Sequence, residues 1–276
     1  MDTRSCDRHF FMHISKTGGT TVQNFLKSHG RLSSNVTCCR DDAVVQRTLA
    51  EWAPSPSLLA YELPLRSVRH TSGTSGQLCV WTMVREPSLW LQSALDHQQR
   101  LFKMNSTDSL HRRQGHLMHT RPYQANWFVG AQMRGGVRLA IYRTDALPHL
   151  VRDLAAALRI RCDGTRGCTA PSANVGGGQG IPIPSEVTEE YALDEALFRC
   201  IPPDGLVLQL REDGTASAAR SGALQPCVEL LLSIMRQTRT IGNVTGCVES
   251  LSEAGNPVFL SRQHQMDNRR DHRACL

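Results

Sequence analysis

Short apolar runs alternate along the chain with longer stretches in which apolar residues recur every three or four positions. A short run bounded by turn residues is typical of a buried strand, and the longer period is typical of a helix with one buried face. The predicted strands cover residues 9–14, 58–61, 77–84, 137–142 and 205–210. The predicted helices cover residues 20–29, 41–52, 87–102, 146–158, 186–200 and 223–235, with a further short helix at 123–129.

This alternation predicts repeated β-α units, and therefore an α/β fold with a mostly parallel sheet flanked by helices. At 276 residues the chain is long enough for one such domain with an appendage, or for one domain and a small second one. We expect the main domain to cover residues 1–200 and a C-terminal extension of uncertain packing to cover residues 201–261. Residues 262–276 are charged and poor in large apolar side chains, which is typical of a disordered tail.

The composition is that of a globular protein with a mild positive charge. Apolar residues make up 40% of the chain, enough for a core, and the formal net charge is +6. This charge fits polyanionic partners such as a nucleotide or a sulfated glycan without requiring them. Only three of the 31 basic residues are lysines (Lys16, Lys27 and Lys103), so a lysine within a motif stands out.

Ten cysteines are scattered along the chain and do not form a metal-binding pattern. Cys162 and Cys168 bracket a Gly-rich stretch short enough to close as a small disulfide loop. Sequons at Asn35, Asn105 and Asn243, together with the cysteine content, favour a glycoprotein of a secretory lumen. The alternative is that the sequons arose by chance and that free cysteines are buried as small apolar residues.

The stretch FFMHISKTGGTT, residues 10–21, is the most informative part of the chain. A buried strand leads into a Gly-rich turn and then into a helix, so that backbone N–H groups and the helix dipole face the turn and favour an anion there. Glycines let the backbone approach the ligand, a lysine adds a cation and threonines add hydroxyl donors. The candidate binding residues are Lys16, Thr17, Gly18, Gly19, Thr20 and Thr21.

A second candidate anion anchor lies in VWTMVREPSLWLQSAL, residues 80–95. Arg85 follows a predicted strand at the switch to a helix, where open α/β sheets hold ligands. Its guanidinium suits a phosphate dianion, and the hydroxyl of Ser93, eight residues later, adds a donor. Alone, this motif is weak, because a surface arginine at a strand end looks the same.

The two motifs resemble those of the Golgi carbohydrate sulfotransferases, of the heparan sulfate 2-O/6-O-like type. HISKTGGTT is similar to their 5′-phosphosulfate loop, H-x-P-K-T-G-G-T-S/T, with Ser15 at the usual proline. Arg85 and Ser93 match the spacing of their 3′-phosphate motif, I/L-x-R-D/E-P followed by a serine. The resemblance covers about residues 9–200 and implies a P-loop-NTPase-like fold, PAPS as co-substrate and no metal. It implies that Lys16 contacts the oxygen bridging phosphate and sulfate.

The catalytic base is open between two residues. In the family, the region between the motifs often reads G-H-x-P, and LLAYELPLR, residues 58–66, places Glu62 at the histidine position, two residues before Pro64. A carboxylate can serve if partial burial raises its pKa. His70 is the competing candidate, and His13, in the first strand, fits a structural role better.

Three later stretches, residues 123–130, 141–158 and 188–198, resemble the family loosely, the last as a terminal helix with an aspartate and an aromatic pair. Residues 172–178 lie where the family often places a loop that touches the adenine or the 3′-phosphate. This loop lacks the basic residues often found there.

The function expected from the resemblance is transfer of a sulfuryl group from PAPS to a hydroxyl, on a glycan or another acceptor, with no nucleic acid partner. The alternatives are a small-molecule or nucleotide kinase of related fold and a non-catalytic PAPS- or PAP-binding homologue. A nucleotide P-loop has its lysine after the glycines, whereas Lys16 precedes them. We found no convincing strand-end aspartate for the Mg²⁺ that a kinase needs.

Localisation depends on the N-terminus. No run of 18 apolar residues precedes the first motif. We expect either a Golgi protein, lumenal or membrane-associated, whose anchor is missing from this sequence, or a soluble intracellular protein.

Overall fold

The computed structural model describes residues 6–36, 58–61, 64–68, 77–102, 123–131, 137–162, 168, 191–211, 215–218 and 224–237. The predicted helix 41–52 and the tail 262–276 lie outside these residues.

Strands and helices alternate through most of the described chain. The strands are β1 (Arg8–Met12), β2 (Leu32–Val36), β3 (Leu58–Tyr61), β4 (Leu78–Val84), β5 (Val137–Arg143), β6 (Leu206–Leu210) and β7 (Ala216–Ala218). The α-helices are α1 (Gly19–Ser28), α2 (Pro87–Phe102), α3 (Leu147–Ala157), α4 (Ala192–Cys200) and α5 (Gln225–Arg236). Short 3-10 helices cover Leu65–Ser67, Gln124–Trp127 and Thr144–Ala146.

The described strands form one seven-stranded sheet in the order β2-β3-β1-β4-β5-β6-β7. The first five strands of the chain run parallel, whereas β6 and β7 are antiparallel to their neighbours. This confirms the predicted α/β class, a mostly parallel sheet flanked by helices. Because β1 pairs directly with β4, with Met12 opposite Thr82, the loops that follow the two strands start at the same edge of the sheet.

Alternate residues of the central strands point to opposite faces, and both faces are buried. Phe10 and Val80 belong to a core that includes Leu231 of α5, whereas Phe11 and Trp81 belong to a core that includes residues of α1 and α3. Burial on both faces explains why these strands are continuous apolar runs in the sequence.

The chain beyond residue 200 extends the same sheet and covers one of its faces. Leu208 of β6 and Val228 of α5 are fully buried in the core that contains Phe10. A disulfide between Cys200 and Cys227 joins α4 to α5. The strand predicted at 205–210 and the helix predicted at 223–235 are present, with small shifts of their ends. The division into a domain over 1–200 and an extension stays a prediction.

The structure adds two strands that the apolar pattern did not reveal, β2 and β7, at the two edges of the sheet. Their sequences, LSSNV and ASA, carry little large apolar surface. An edge strand forms through backbone pairing to one neighbour and needs less apolar surface than a central strand.

The largest departures from the predicted helices are at two places, while the other described helices differ by at most two residues at an end. The helix predicted at 186–200 begins at Ala192, and residues 186–190 lie outside the described part of the chain. The short helix predicted at 123–129 is a 3-10 helix over Gln124–Trp127.

Two further disulfides lie in the described part of the chain. The predicted small loop is closed by Cys162 and Cys168, and Cys6 is bonded to Cys79 across the starts of β1 and β4. Within the described ranges, no helix combines the length and the apolar character needed to cross a bilayer.

Candidate active site

The loop between β1 and α1 contains two residues with left-handed backbone. Lys16 has φ 65° and Gly18 has φ 88°. Glycine adopts this conformation freely, whereas a residue with a side chain pays about 1–2 kcal/mol for it. The fold therefore tolerates an unfavourable backbone at the lysine that the sequence singled out.

The loop leaves amide N–H groups available at the start of α1. In the described part of the chain, the N–H groups of Gly18, Gly19 and Thr20 have no hydrogen-bond partner, and no side chain caps the helix. Gly18 and Thr20 are exposed, and Lys16 is half-buried. Unpaired amides, the positive end of the helix dipole and the lysine together favour an anion at this place.

The threonines of the motif differ in what they can do. Thr17 is fully buried, and its hydroxyl donates to the carbonyl of Ile14 at 2.7 Å. This hydrogen bond stabilises the loop and uses the hydroxyl proton that a ligand would need. Thr21 is buried as well, whereas Thr20 is exposed beside the unpaired amides. Thr20 is therefore the motif threonine best exposed to a ligand.

Gly19 is required by the close approach of His13. A Cβ on Gly19 would lie 1.9 Å from His13 Cδ2, which no real structure permits. His13 is buried, and Gln23 Nε2 lies 3.4 Å from its Nδ1. Burial, and then the nearby charge of Lys16, lower the pKa of His13 to about 4. The imidazole is therefore neutral at physiological pH, which fits the structural role expected for it.

Arg85 lies directly after β4, at the same edge of the sheet as the loop. Its Nη1 donates to the backbone carbonyl of Lys16 at 3.1 Å. Burial lowers the pKa of the half-buried Arg85 guanidinium, but arginine keeps its charge in proteins. The structure thus brings Lys16 and Arg85, the central residues of the two motifs, into contact.

The backbone of Arg85 is held by Gln124, which the sequence did not single out. Gln124 Oε1 accepts the Arg85 N–H at 2.7 Å, and its Nε2 donates to the Arg85 carbonyl at 2.8 Å. A single buried amide side chain therefore satisfies both backbone groups of Arg85 where β4 gives way to α2. The signal in the sequence that could have pointed to Gln124 was the loose resemblance of residues 123–130 to a stretch of the sulfotransferase family.

Asp194 of α4 holds Gln124 in turn. Its carboxylate accepts the N–H groups of Gln124 and Ala125, both at 2.8 Å. The side chain is buried, and burial raises the pKa of Asp194 to about 7, although the two N–H bonds oppose the shift. A carboxylate 109 positions after Arg85 thus supports the geometry of the site.

Of the remaining candidates, Ser93 lies half-buried in α2, six residues after Pro87. Glu62 and His70 lie outside the described residues, as does the loop 172–178. Glu62 follows β3 directly in sequence, and the last residue of β3, Tyr61, pairs with Met12 at the end of β1. The choice between Glu62 and His70 stays a prediction.

Among the residues that the structure describes, no three His, Cys, Asp or Glu side chains form a group that could hold a metal ion. The expectation of a metal-independent reaction stays a prediction.

No protein-family model matches the chain, and no curated protein sequence matches it. Its backbone is similar to the crystal structure of a sulfotransferase from Alicyclobacillus acidocaldarius, with a TM-score of 0.41 and 15% sequence identity over 70% of this chain and 95% of that chain. A likeness of this size carries no information about individual site residues.

Proposed function

We propose that the chain is a sulfotransferase that moves the sulfuryl group of PAPS to a hydroxyl of a carbohydrate. The observation that carries the proposal is the contact between Arg85 and the Lys16 carbonyl, which brings the two candidate anion anchors together at one sheet edge. PAPS carries an anion at each end of its nucleotide, a 5′-phosphosulfate and a 3′-phosphate, and so needs two such anchors. The motif resemblance of both segments supports the same assignment.

In this proposal the 5′-phosphosulfate binds the unpaired N–H groups of Gly18, Gly19 and Thr20. Arg85 has one N–H on the Lys16 carbonyl, and the remaining guanidinium donors are directed to the 3′-phosphate, with Ser93 as a further donor. Thr17 and Thr21 support the loop from within.

The chemical step is an in-line displacement at sulfur. The acceptor oxygen forms a new bond to sulfur, the bond from sulfur to the bridging oxygen breaks, and PAP leaves with that electron pair. Lys16 stabilises the negative charge that develops on the leaving phosphate oxygen, a role of greatest value in a site that excludes water. The acceptor proton passes to the base, Glu62 or His70.

Two acidic residues near the strand ends argue against the kinase alternative, because each has another role. The Glu86 carboxylate accepts the Ser88 hydroxyl at 2.7 Å and the N–H of Leu89 at 2.9 Å, which caps the start of α2. Asp145, after β5, forms an ion pair with Arg143. A kinase would need carboxylates directed to Mg²⁺ and nucleotide phosphates.

The decisive experiment combines PAP binding by calorimetry with transfer of radiolabelled sulfate from PAPS to a panel of glycans. A sulfotransferase binds PAP and labels at least one acceptor. The non-catalytic homologue binds PAP without labelling any of them, and a kinase does neither. The panel also identifies the acceptor sugar, which the proposal leaves at the level of a carbohydrate hydroxyl.

A secretory lumen such as the Golgi is part of this proposal. The three disulfides Cys6–Cys79, Cys162–Cys168 and Cys200–Cys227 support it, because disulfides persist in oxidising compartments. A soluble intracellular enzyme is the alternative. The lumenal location is tested by expressing the protein in secretory cells and treating it with an N-glycosidase. A lumenal glycoprotein should lose mass on this treatment. A protein of unchanged mass, found in the cytosol with all cysteines reduced, favours the intracellular enzyme.

A further inference from the structure

Trp90 lies in α2, and its side chain contacts the loop between β1 and α1. Its side chain is fully buried, and its Nε1 donates to the carbonyl of Ser15 at 2.7 Å, across 75 residues of sequence. The ring packs in a small cluster with Leu91 and Tyr191, whose ring centroid is 6.0 Å away. The indole is therefore held in place by its own surroundings as well as by the loop.

The position of this hydrogen bond matters because a peptide unit is planar. The Ser15 carbonyl belongs to the peptide plane that precedes the Lys16 Cα, and the Lys16 carbonyl belongs to the plane that follows it. Trp90 holds the first carbonyl and Arg85 holds the second. Both backbone dihedrals of Lys16 are thereby restrained by side chains from the β4–α2 unit.

This restraint acts at the residue where the backbone is least favourable. Lys16 has the left-handed φ of 65°, and its relaxation to an ordinary conformation would rotate the peptide planes and move the ammonium group. A displacement of about 1 Å at a catalytic group can lower a rate about 100-fold. The two side-chain donors therefore oppose a relaxation that would harm the reaction.

We infer that Trp90 is a positioning residue whose indole N–H, through the Ser15 carbonyl, holds Lys16 in the conformation that the transfer step needs. This inference rests on the proposed function, because the consequence for catalysis passes through Lys16. Trp90 itself touches neither donor nor acceptor in this scheme. Its loss should therefore lower turnover more than it lowers donor affinity.

The test compares Trp90→Phe with Trp81→Phe. Each change keeps a buried aromatic ring and removes one buried indole N–H, since Trp81 Nε1 donates to His9 Nδ1 at 3.2 Å, away from the loop. Trp90→Phe should lower kcat for sulfate transfer by ~10- to 100-fold, with PAP affinity changed less than about threefold. Trp81→Phe should leave both values near those of the wild type.

A second readout needs no ligand and no activity. Hydrogen exchange at the backbone amides of residues 14–17 should be faster in Trp90→Phe than in the wild type and in Trp81→Phe, each measured at the same interval below its own melting temperature. Unchanged exchange, or an unchanged kcat in a folded Trp90→Phe variant, overturns the inference. If the wild type neither binds PAP nor transfers sulfate, the proposed function fails, and the exchange data still decide whether Trp90 holds the loop.

Discussion

The guanidinium of Arg85 donates to the backbone carbonyl of Lys16 at 3.1 Å, and 69 residues of sequence separate the two. One motif thus holds the backbone of the other. Arg85 has donors left over for a phosphate, because a guanidinium carries five N–H groups. If the proposed function holds, binding of the nucleotide by Arg85 and the backbone geometry of Lys16 are therefore physically coupled.

The coupling predicts non-additive effects in a double-mutant cycle of Lys16→Ala and Arg85→Ala. Arg85→Ala should weaken PAP binding by about 2–3 kcal/mol, the range for hydrogen bonds to charged groups. It should also lower turnover, because the Lys16 carbonyl loses its donor. Expressed as free energies, the loss of turnover in the double variant should then be smaller than the sum of the losses in the two single variants. The reason is that the Lys16 side chain is no longer present to be misplaced.

Calorimetry with PAP and with a nucleotide that lacks the 3′-phosphate separates the two roles of Arg85. The variant should lose more affinity for PAP than for the second ligand. Equal losses, with strictly additive turnover effects, would assign Arg85 to the fold alone.

Lys16→Ala should lower turnover by at least ~100-fold, the scale seen when one transition-state donor is removed. Affinity for PAP should fall less than turnover, because the loop amides remain. Lys27→Ala is the matched control, since Lys27 is an exposed lysine in the last turn of α1. Steady-state kinetics on both variants measure the difference, and near-normal turnover in folded Lys16→Ala contradicts the assignment.

Gly19→Ala should destabilise the protein and weaken the binding of PAPS, because the added methyl overlaps the buried ring of His13. Overpacking of this kind costs typically 1–3 kcal/mol. Gly30→Ala is a useful contrast, since nothing lies within 4 Å of its Cβ and only the left-handed backbone is strained. Urea denaturation of both variants gives the two free energies of unfolding.

The Gly19→Ala variant should recover part of its stability when His13 is also changed to Ala, since the overlapping ring is then gone. A double variant as unstable as the sum of the single changes would show that the clash with His13 is not the cause.

Asp194 predicts a pH effect of known sign. Its folded pKa of about 7 lies above the ordinary aspartate value of 3.8, so the folded state binds more protons than the unfolded state between about pH 4 and 7. This carboxyl therefore makes the protein less stable as pH rises through that window. Burial lowers the pKa values of His9 and His13 to about 4, which acts in the opposite direction between about pH 4 and 6.5.

Asp194→Asn isolates the carboxyl contribution, because asparagine resembles the protonated acid and does not titrate. The variant should be less stable than the wild type at pH 4.5, since the amide nitrogen cannot accept the second backbone N–H, whereas the hydroxyl oxygen of the protonated acid still can. Between pH 4.5 and pH 8, the free energy of unfolding of the variant should rise relative to that of the wild type by on the order of 2–4 kcal/mol. Urea denaturation at both pH values measures this, and a pH-independent difference contradicts the raised pKa.

The catalytic base is tested by Glu62→Gln beside His70→Ala. If Glu62 is the base, the glutamine keeps the shape but cannot take the proton, and turnover should fall by ~100- to 10,000-fold with little change in PAPS affinity. The pH–rate profile should lose its acidic limb, and His70→Ala should be mild. The reverse pattern assigns the base to His70.

Several features of this protein were determined by the sequence alone. The central strands are continuous apolar runs because both of their faces are buried, and α2 has the predicted bounds, Pro87–Phe102, with a proline in its first turn. The strand–loop–helix arrangement around residues 10–21 was predictable, because a buried apolar run, two glycines and a helical period follow one another in the sequence. Such features are encoded locally, in the dihedral preferences and burial of neighbouring residues.

Partnerships between distant residues were decided only by the tertiary structure. The bonds from Trp90 to Ser15, from Gln124 to Arg85 and from Asp194 to Gln124 join residues 75, 39 and 70 positions apart. A buried tryptophan or glutamine has the same local pattern whatever carbonyl it meets, because its partner depends on which elements pack together. The edge strands β2 and β7 were missed for the same reason, since backbone pairing to a neighbouring strand, and not apolar side chains of their own, makes them strands.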